Sequence, residues 1–318
     1  MVEFPEGKKL LFLAPMAGFS NEPCRRICRE YGADVSVSEF VYSRAVLSGA
    51  ARVFEKLSFT EGGRPFGVQI FGSDPKEVAD AASLVEERVA PDFIDINFGC
   101  PAPNAVSAGA GSALLKNPEL MGKIVAAVAG ALKRIPVSAK MRIGWDGSSI
   151  IVPDAARALA DAGASFITLH GRTKACGYEG DADWDLIEKT AQSLSVPLIG
   201  NGSVEKLDAA RLRGSACAGF MAGRAALGNP WVFGEIRAKM DGTEFVPPTP
   251  SDRAKLALRY AELVSDGSYS GIDAGNLTFA KVQIMRFLKG AEGFKRLRVG
   301  LKSINTLEQL KEMLCDYV

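Results

Sequence analysis

Two side chains near the middle of the sequence could carry acid–base chemistry, and both belong to apolar runs. The run Phe93–Ile96 leads through Gly99 to Cys100 and Pro101. Gly99 permits backbone angles closed to other residues and Pro101 cannot continue a strand ladder, so a strand is expected to end here. Such an end places Cys100 at the lip of the fold, where chemistry is usually found. The alternative is a buried free cysteine that packs as a small hydrophobe.

The second such side chain is Lys140, at the end of the run Val137–Met141, with Arg142 two residues further on the same face. Three roles are open to Lys140. It could form a Schiff base in an aldolase-type reaction, or it could stabilise negative charge on a cofactor. It could also be an ordinary strand-end lysine that buries its stem and exposes its charge.

Polar side chains follow nearly every apolar run, which a purely structural fold does not require. The last two runs are each followed by a glycine loop, at 201–203 and at 223–224. These two glycine loops, with Arg224, predict a phosphate site. Met16 and Ala17 supply a small apolar floor, and Gln69 offers both a donor and an acceptor to a heterocycle. The set predicts a site for a planar phosphate ester such as flavin mononucleotide (FMN). The polar residues and loop glycines at the ends of the runs are Glu39, Gln69, Asn97, Cys100, Lys140, Arg142, His170, Arg172, Asn201, Gly202, Ser203, Gly223 and Arg224.

The elements that must position these residues recur about every thirty residues, the spacing of a βα unit. The runs are continuously apolar, as expected of parallel strands buried on both faces. They alternate with helical segments, which predicts an α/β protein with a (β/α)8 TIM barrel. A doubly wound sheet is less favoured because no G-x-G-x-x-G follows the first run. The predicted strands are Leu10–Ala14, Val35–Ser38, Phe66–Ile70, Phe93–Ile96, Val137–Met141, Phe166–Leu169, Val196–Ile199 and Gly219–Met221, and the helices include Pro23–Tyr31, Pro75–Val89, Pro118–Arg134, Pro153–Ala162 and Glu205–Arg213.

The pattern changes towards the C-terminus. We expect the barrel to occupy residues 1–240, a Pro/Thr linker 241–250, and a small helical domain 251–318 with helices at Asp252–Val264, Leu277–Leu288 and Thr306–Tyr317. Within that domain, Lys281–Lys302 holds seven basic residues and one acid, Glu292. The stretch could be a solvated helix face or a surface that contacts a phosphate backbone.

The amino-acid composition argues against several classes of protein. The chain has 318 residues and a net charge of +1, so there is no global basic field. Its six cysteines have neither zinc nor disulfide spacing, which indicates a reduced, cytoplasmic protein without a metal centre. No apolar segment predicts a signal peptide or a membrane span. His170 is the only histidine, so any Ser-His-Asp enzyme would depend on it.

Short motifs occur across nearly the whole predicted barrel. They are APMAG at 14–18, DINFGCP at 95–101, GAGSALL at 109–115, KMRIGW at 140–145, HGRT at 170–173, GNG at 200–202, GR at 223–224 and GNPW at 228–231. Taken together, they resemble the tRNA-dihydrouridine synthase family and follow that family's order. The resemblance implies an FMN-dependent oxidoreductase that uses NADPH to reduce the C5=C6 bond of a uridine in tRNA. It also implies a barrel followed by a helical domain that binds tRNA, and we expect a monomer.

The resemblance also implies roles for individual residues. Cys100 matches the general acid, which protonates C5 after hydride has reached C6; a thiol with a pKa near ~8.5 is mostly protonated at neutral pH. Ser203 stands where the family usually has Asp. The implied flavin contacts are Pro15, Met16, Ala17, Gln69, Lys140, His170, Asn201, Gly202, Ser203, Gly223 and Arg224. The expected substrate contacts are Asn97, Arg142 and Arg172 in the barrel and Lys281, Arg286, Lys289 and Arg298 in the helical domain.

Three other functions stay open at this point. A flavoenzyme that acts on a free pyrimidine, of the dihydroorotate dehydrogenase type, would not need the basic segment Lys281–Lys302. A lyase built on Lys140 would not need flavin. A non-catalytic RNA-binding protein would need neither Cys100 nor the glycine loops.

Overall fold

Every run predicted as a strand forms one in the structure, a computed structural model that describes residues 2–266, 277, 280–290, 293–315 and 317. The bounds differ from the prediction by one or two residues, and a short additional strand, β3, was not expected. The strands are β1 Leu10–Leu13, β2 Val35–Val37, β3 Val41–Tyr42, β4 Phe66–Phe71, β5 Phe93–Phe98, β6 Val137–Arg142, β7 Ile167–His170, β8 Leu198–Asn201 and β9 Gly219–Ala222.

In the described chain, the strands pair in parallel and close into a barrel. From β4 to β9, each strand pairs with the one that follows it in the chain. The barrel is closed by the pairs β9 with β1, β1 with β2, and β2 with β4. The two-residue β3 adds to β4 beyond the end of β2, as a continuation of that strand. Closure confirms the α/β class and the (β/α)8 TIM barrel, and it rules out the open doubly wound sheet.

Helices lie between the strands and after them. They are α1 Glu22–Glu30, α2 Ser43–Leu47, α3 Ala51–Lys56, α4 Pro75–Arg88, α5 Pro103–Ser107, α6 Pro118–Ala131, α7 Asp154–Asp161, α8 Trp184–Gln192, α9 Ala209–Gly214, α10 Val232–Asp241, α11 Pro250–Ser265, α12 Lys281–Phe287, α13 Phe294–Gly300 and α14 Leu307–Leu314. The continuous helix predicted over Glu205–Arg213 is wrong. Its first part belongs to a 3₁₀ turn, Val204–Lys206, and α9 begins anew after Asp208, whose side chain accepts a hydrogen bond from Arg211 N at 2.7 Å.

Two apolar clusters stabilise the barrel. The inner cluster fills the barrel with aromatic and aliphatic side chains, and the ring centroids of Phe93 and Phe166 lie 5.1 Å apart. The outer cluster lies between the strands and the helices and extends into the C-terminal helices. Because side chains alternate along a strand, Asp95 and Asn97 follow Phe93 up the inside of the barrel. The apolar floor thus leads directly to polar side chains.

The C-terminal helices pack beside the barrel. Helix α11 starts at a capping box formed by Thr249 and Asp252, and it contacts the start of α1, where Asn21 Nδ2 donates to Tyr260 Oη at 2.9 Å. Helix α13 was not predicted, and part of the predicted helix Leu277–Leu288 lies outside the described residues. The domain boundaries at 240 and 250 remain predictions. Within the described residues, no helix is both long and apolar enough to cross a membrane.

Candidate active site

A cavity of about 550 Å³ lies at the carboxyl end of the barrel, where active sites of this fold are found. Most of the predicted site residues line it: Pro15, Met16, Asn97, Cys100, Lys140, Arg142, His170, Arg172, Asn201, Gly202, Ser203, Gly223 and Arg224. Ala17 is exposed beside the cavity. Gln69 lies beneath it, fully buried.

The cysteine sits in a tightly held turn. Asn97 Oδ1 accepts hydrogen bonds from Gly99 N at 3.0 Å and from Cys100 N at 2.8 Å. On the other side, Cys100 O accepts from Ser112 N at 3.0 Å. Gly111 makes this approach possible, since its φ is +58° and an added Cβ would lie 2.9 Å from Cys100 O. The turn fixes the half-buried Cys100 at the cavity wall.

Burial raises the pKa of the Cys100 thiol. The Ala102 N–H and the cations Arg142 and Lys140 act in the opposite direction but do not cancel the effect of burial. The thiol is therefore protonated at neutral pH. A protonated thiol that faces a cavity can donate a proton to a bound molecule, so the geometry suits a general acid better than a nucleophile.

Lys140 presents its amine to the cavity beside an oriented amide. Its Nζ donates to Asn201 Oδ1 at 3.1 Å, while Asn201 Nδ2 donates to Met221 O at 2.7 Å, which fixes the amide. Burial, together with the nearby Arg142, lowers the pKa of Lys140 to about 8. The lysine is thus charged at neutral pH and well placed to bind an anionic group.

His170 and Arg172 form the wall at the end of β7. The Arg172 guanidinium lies 3.2 Å from His170 Nε2, which must accept because a guanidinium only donates. Burial and the surrounding cations, Lys140 foremost, lower the pKa of His170 well below its usual value, so the ring is neutral. Arg172 also donates to Gly180 O at 2.7 Å and to Ser203 Oγ at 2.9 Å. It therefore ties the loops after β7 and β8 together.

Arg142 has a comparable structural task. Its guanidinium donates to Gly99 O at 2.9 Å and to Thr173 O and Gly177 O at 2.8 Å each. The side chain is 2 % exposed. Arg142 thus joins the Cys100 turn to the loop after β7, while it also borders the cavity. Its predicted contact with substrate stays a prediction.

The sequence prediction did not include Tyr178, Phe40, Glu205 or Lys206 among the site residues, although all four line the cavity. Tyr178 is half exposed, and the Arg224 guanidinium lies 4.2 Å from its ring centroid. Loop position alone gives no signal for such contacts, because they depend on how separate loops fold over one another.

The basic residues predicted in the C-terminal domain occupy different environments. The Arg286 guanidinium lies 4.2 Å from the ring centroid of Phe19, in the loop after β1, so α12 adjoins the barrel mouth. Lys281 Nζ donates to Lys302 O and to Asn305 Oδ1, each at 3.0 Å. Lys289 and Arg298 are exposed. None of the four lines the cavity.

The cavity wall is strongly cationic. Its charged lining residues are Lys140, Arg142, Arg172, Lys206 and Arg224 against a single acid, Glu205. A concave surface with one sign of charge attracts ligands of the opposite sign. The arrangement suits a ligand with a phosphate or another negative charge. Among the described residues, no cluster of three or more His, Cys, Asp or Glu side chains is placed to hold a metal ion.

Known proteins are similar to this chain in sequence. The family model described as "Dihydrouridine synthase (Dus)" matches residues 12–315 of the chain. A protein of Aquifex aeolicus (strain VF5) named "Probable tRNA-dihydrouridine synthase" is 40% identical over 316 residues, covering 97% of this chain and 95% of the relative. "tRNA-dihydrouridine synthase B" of Vibrio vulnificus (strain CMCP6) is 38% identical over 269 residues, or 83% of each chain.

Solved structures resemble the chain in fold. One is the 6-hydroxypseudooxynicotine amine oxidase (HisD) of Pseudomonas geniculata N1, which superposes with a TM-score of 0.55 at 14% identity. The superposition covers 92% of this chain and 64% of the other. At this identity the similarity concerns the barrel architecture alone.

Proposed function

Because the chain belongs to the dihydrouridine synthase family, we propose that it reduces the C5=C6 bond of a uridine in tRNA, with FMN as bound cofactor and NADPH as reductant. Membership of the family makes the protein an oxidoreductase that forms dihydrouridine. The cofactor, the reductant, the tRNA substrate and the roles of single residues are proposals. So are the cytoplasmic location and the monomeric state.

The residues of the cavity fit FMN. Its volume of about 550 Å³ lies within the ~300–1,000 Å³ range of small-molecule sites. Loops after β8 and β9 bring Gly202, Ser203, Gly223 and Arg224 to one side, where backbone N–H groups and a guanidinium would hold the phosphate. Ser203 supports this placement, since it lines the cavity and its hydroxyl accepts a hydrogen bond from Arg172 at 2.9 Å. The ring system would contact Pro15, Met16, Ala17, Gln69, Lys140, His170 and Asn201.

The chain's own groups then act around the cofactor, which supplies the hydride when it is bound and reduced. Lys140, charged below pH about 8, holds negative charge beside the cavity floor. His170, kept neutral by its surroundings, accepts a hydrogen bond without adding another positive charge. Hydride addition at C6 of uracil leaves a negative charge that must be protonated at C5. Cys100, which lines the same cavity, donates that proton.

The substrate must reach this cavity from a folded RNA. Enzymes that act on a base extrude the nucleotide into a pocket, and Asn97, Arg142, Arg172 and Tyr178 border the space it would enter. Arg286 lies beside the mouth, Lys289 is exposed just after α12, and Arg298 is exposed on α13. We propose that these residues and Lys281 contact the phosphate backbone of tRNA.

A single observation supports the proposal most directly: the glycine loops that would hold the phosphate and the protonated Cys100 thiol border the same cavity. The test is anaerobic. The protein's flavin is reduced, unmodified tRNA transcript is added, and reoxidation is followed at the flavin absorbance band. Rapid reoxidation by the transcript, with free uridine inert, is expected. Reoxidation by a free pyrimidine with tRNA inert would contradict it and favour a small-molecule dehydrogenase.

A further inference from the structure

A continuous chain of buried polar side chains runs beneath the Cys100 turn, and the proposed chemistry does not use its far end. Gln69 Nε2 donates to Asp95 Oδ2 at 2.6 Å, and Asn97 Nδ2 donates to Gln69 Oε1 at 2.7 Å. Asn97 Oδ1 in turn accepts from the backbone of Cys100 at 2.8 Å. Asp95, Gln69 and Asn97 are all at most 7% exposed. Strand register makes the chain possible, since Gln69 pairs with Asp95 across β4 and β5.

The carboxylate of Asp95 decides which group donates and which accepts in each hydrogen bond of this chain. Asp95 in its ionised form only accepts, so the Gln69 amide must turn its nitrogen towards it. The Gln69 oxygen then faces Asn97, which must present its nitrogen there. Only in that orientation does Asn97 turn its oxygen towards the backbone N–H of Cys100. An amide alone could flip, because its two ends have nearly the same shape.

Asp95 is well held in this role. Its second oxygen accepts from Ser138 Oγ at 2.7 Å, on the side away from Gln69. Burial raises the pKa of Asp95, while the Gln69 and Ser138 hydrogen bonds and the charge of Lys140 oppose that rise. A buried polar network is maintained only when its members are satisfied, and here each of the four side chains has a partner.

We propose that Asp95 is a positioning residue, which sets the Cys100 turn by orienting first Gln69 and then Asn97. It touches neither the cavity nor Cys100 and acts only through the two amides. The proposal deepens the proposed function, on which it rests for the role of Cys100 as proton donor. Its geometric part, the control of the turn, is testable without tRNA.

The first test measures the rate at which iodoacetamide alkylates Cys100, by peptide mass spectrometry on the full-length protein. Asp95→Leu removes the acceptor at nearly constant volume. We expect the loosened turn to expose the thiol, so alkylation of Cys100 accelerates by roughly threefold or more. Exposed Cys315, just after α14, serves as the internal control and should not change. An unchanged Cys100 rate would overturn the proposal.

Ser138→Ala is the matched variant. It also removes a buried hydrogen bond that Asp95 accepts, but Ser138 is not part of the chain from Asp95 through Gln69 and Asn97 to Cys100. Its Cys100 alkylation rate should stay within about twofold of wild type. If Ser138→Ala accelerated alkylation of Cys100 as much as Asp95→Leu does, any loss of a hydrogen bond at Asp95 would loosen the Cys100 turn. That result would overturn the proposal that Asp95 acts through Gln69 and Asn97. If thermal unfolding shows that Asp95→Leu is not folded, Gln69→Leu breaks the same chain one link later and takes its place.

A double-mutant cycle decides whether Asp95 acts through Asn97. In an Asn97→Ala background, Asp95→Leu should accelerate alkylation no further, whereas independent effects would multiply and overturn the proposal. With tRNA, Asp95→Leu should lower kcat by about tenfold or more with KM nearly constant, since misplaced groups lose rate before binding. If the wild type does not reduce tRNA, the proposed function fails while the alkylation cycle still decides this inference.

Discussion

The two ends of the barrel both gather charged side chains, but these side chains have different partners. At the amino end, Asp34 precedes β2 and binds Lys8 at 3.0 Å and Arg237 at 2.5 Å. It also accepts from Leu11 N of the neighbouring strand at 2.8 Å. Asp92 repeats the arrangement before β5, with Arg64 at 3.1 Å and Phe66 N at 2.8 Å. Each acid there is paired with a base and fastens two adjacent strands.

At the carboxyl end, three of the cavity cations bind neutral oxygens. Arg142 and Arg172 donate to loop carbonyls, and Lys140 donates to an amide oxygen. Carbonyls fix the direction of a guanidinium but leave its charge in place. At the amino end, ion pairs therefore hold adjacent strands together. At the carboxyl end, the cations keep a positive field that attracts an anionic ligand. Four changes test this difference.

The largest expected effect is that of Cys100→Ala. Loss of the proton donor should lower tRNA reduction by roughly 10²–10⁴-fold, the usual contribution of general acid catalysis. Flavin should remain bound, because Cys100 is not among the residues proposed to hold FMN. Single-turnover flavin reoxidation with tRNA measures the rate, and the flavin absorbance of the purified variant measures retention. Turnover at the wild-type rate would remove Cys100 from the mechanism.

The next largest effect concerns Arg224→Ala. This change should weaken FMN binding by about tenfold, because a hydrogen bond to a charged group contributes roughly 1.5 kcal/mol. The Kd is measured by quenching of FMN fluorescence. The matched control is Arg237→Ala at the amino end, which should lower the thermal midpoint but leave the Kd unchanged. Equal loss of affinity in both variants would contradict the division between the two ends.

A pH dependence follows from Lys140, whose pKa is lowered from 10.5 to about 8. The lysine is charged below about pH 8 and loses its charge above it, so FMN affinity should fall as pH rises through 8, by up to about tenfold. In the free protein the sign is opposite: between about pH 8 and 10.5 the unfolded chain binds more protons, so stability rises with pH. Fluorescence titrations from pH 7 to 9.5 test the first statement, with Lys140→Met expected to remove the dependence. A flat wild-type profile would exclude Lys140 as an anion contact.

The smallest effect on function is expected of Asp34→Asn. Removal of the charge from an ion-paired carboxylate that is 20% exposed should lower the free energy of unfolding by about 1–3 kcal/mol. FMN affinity should stay within about twofold of wild type. Denaturant unfolding of the cofactor-free protein and the fluorescence titration measure the two quantities. A large loss of FMN affinity would mean that the amino end supports the site directly.

Much of the fold was readable because its signals are local. Continuous apolar runs mark β4, β5 and β6 to within one or two residues, and Gly99 and Pro101 correctly predict where β5 stops. The starts of α4 at Pro75 and α6 at Pro118 were predicted correctly, because proline favours the first turn of a helix. The start of α9 was not, because it depends on the side chain of Asp208, which accepts from Arg211 N.

The site was predicted less completely, because its contacts join distant loops. The contact of Gln69 with the flavin stays a prediction, and the structure adds hydrogen bonds from its side chain to Asp95 and Asn97 beneath the cavity. Arg142 was expected at the substrate, and the structure adds three carbonyl partners from two loops. The contacts of Asp34 and Asp92 were not predicted, because their partners are distant in the sequence.

The sequence by itself determined which segments become strands and which residues stand at their ends, because apolar periodicity, glycine and proline act over a few neighbouring residues. Tertiary structure alone decided what those residues touch. In a closed barrel, the register between strands sets which side chains share a layer, and a slip of one residue would turn each of them to the other face. The chain from Asp95 through Gln69 and Asn97 to Cys100 exists only because β4 and β5 pair in the register that places Gln69 beside Asp95.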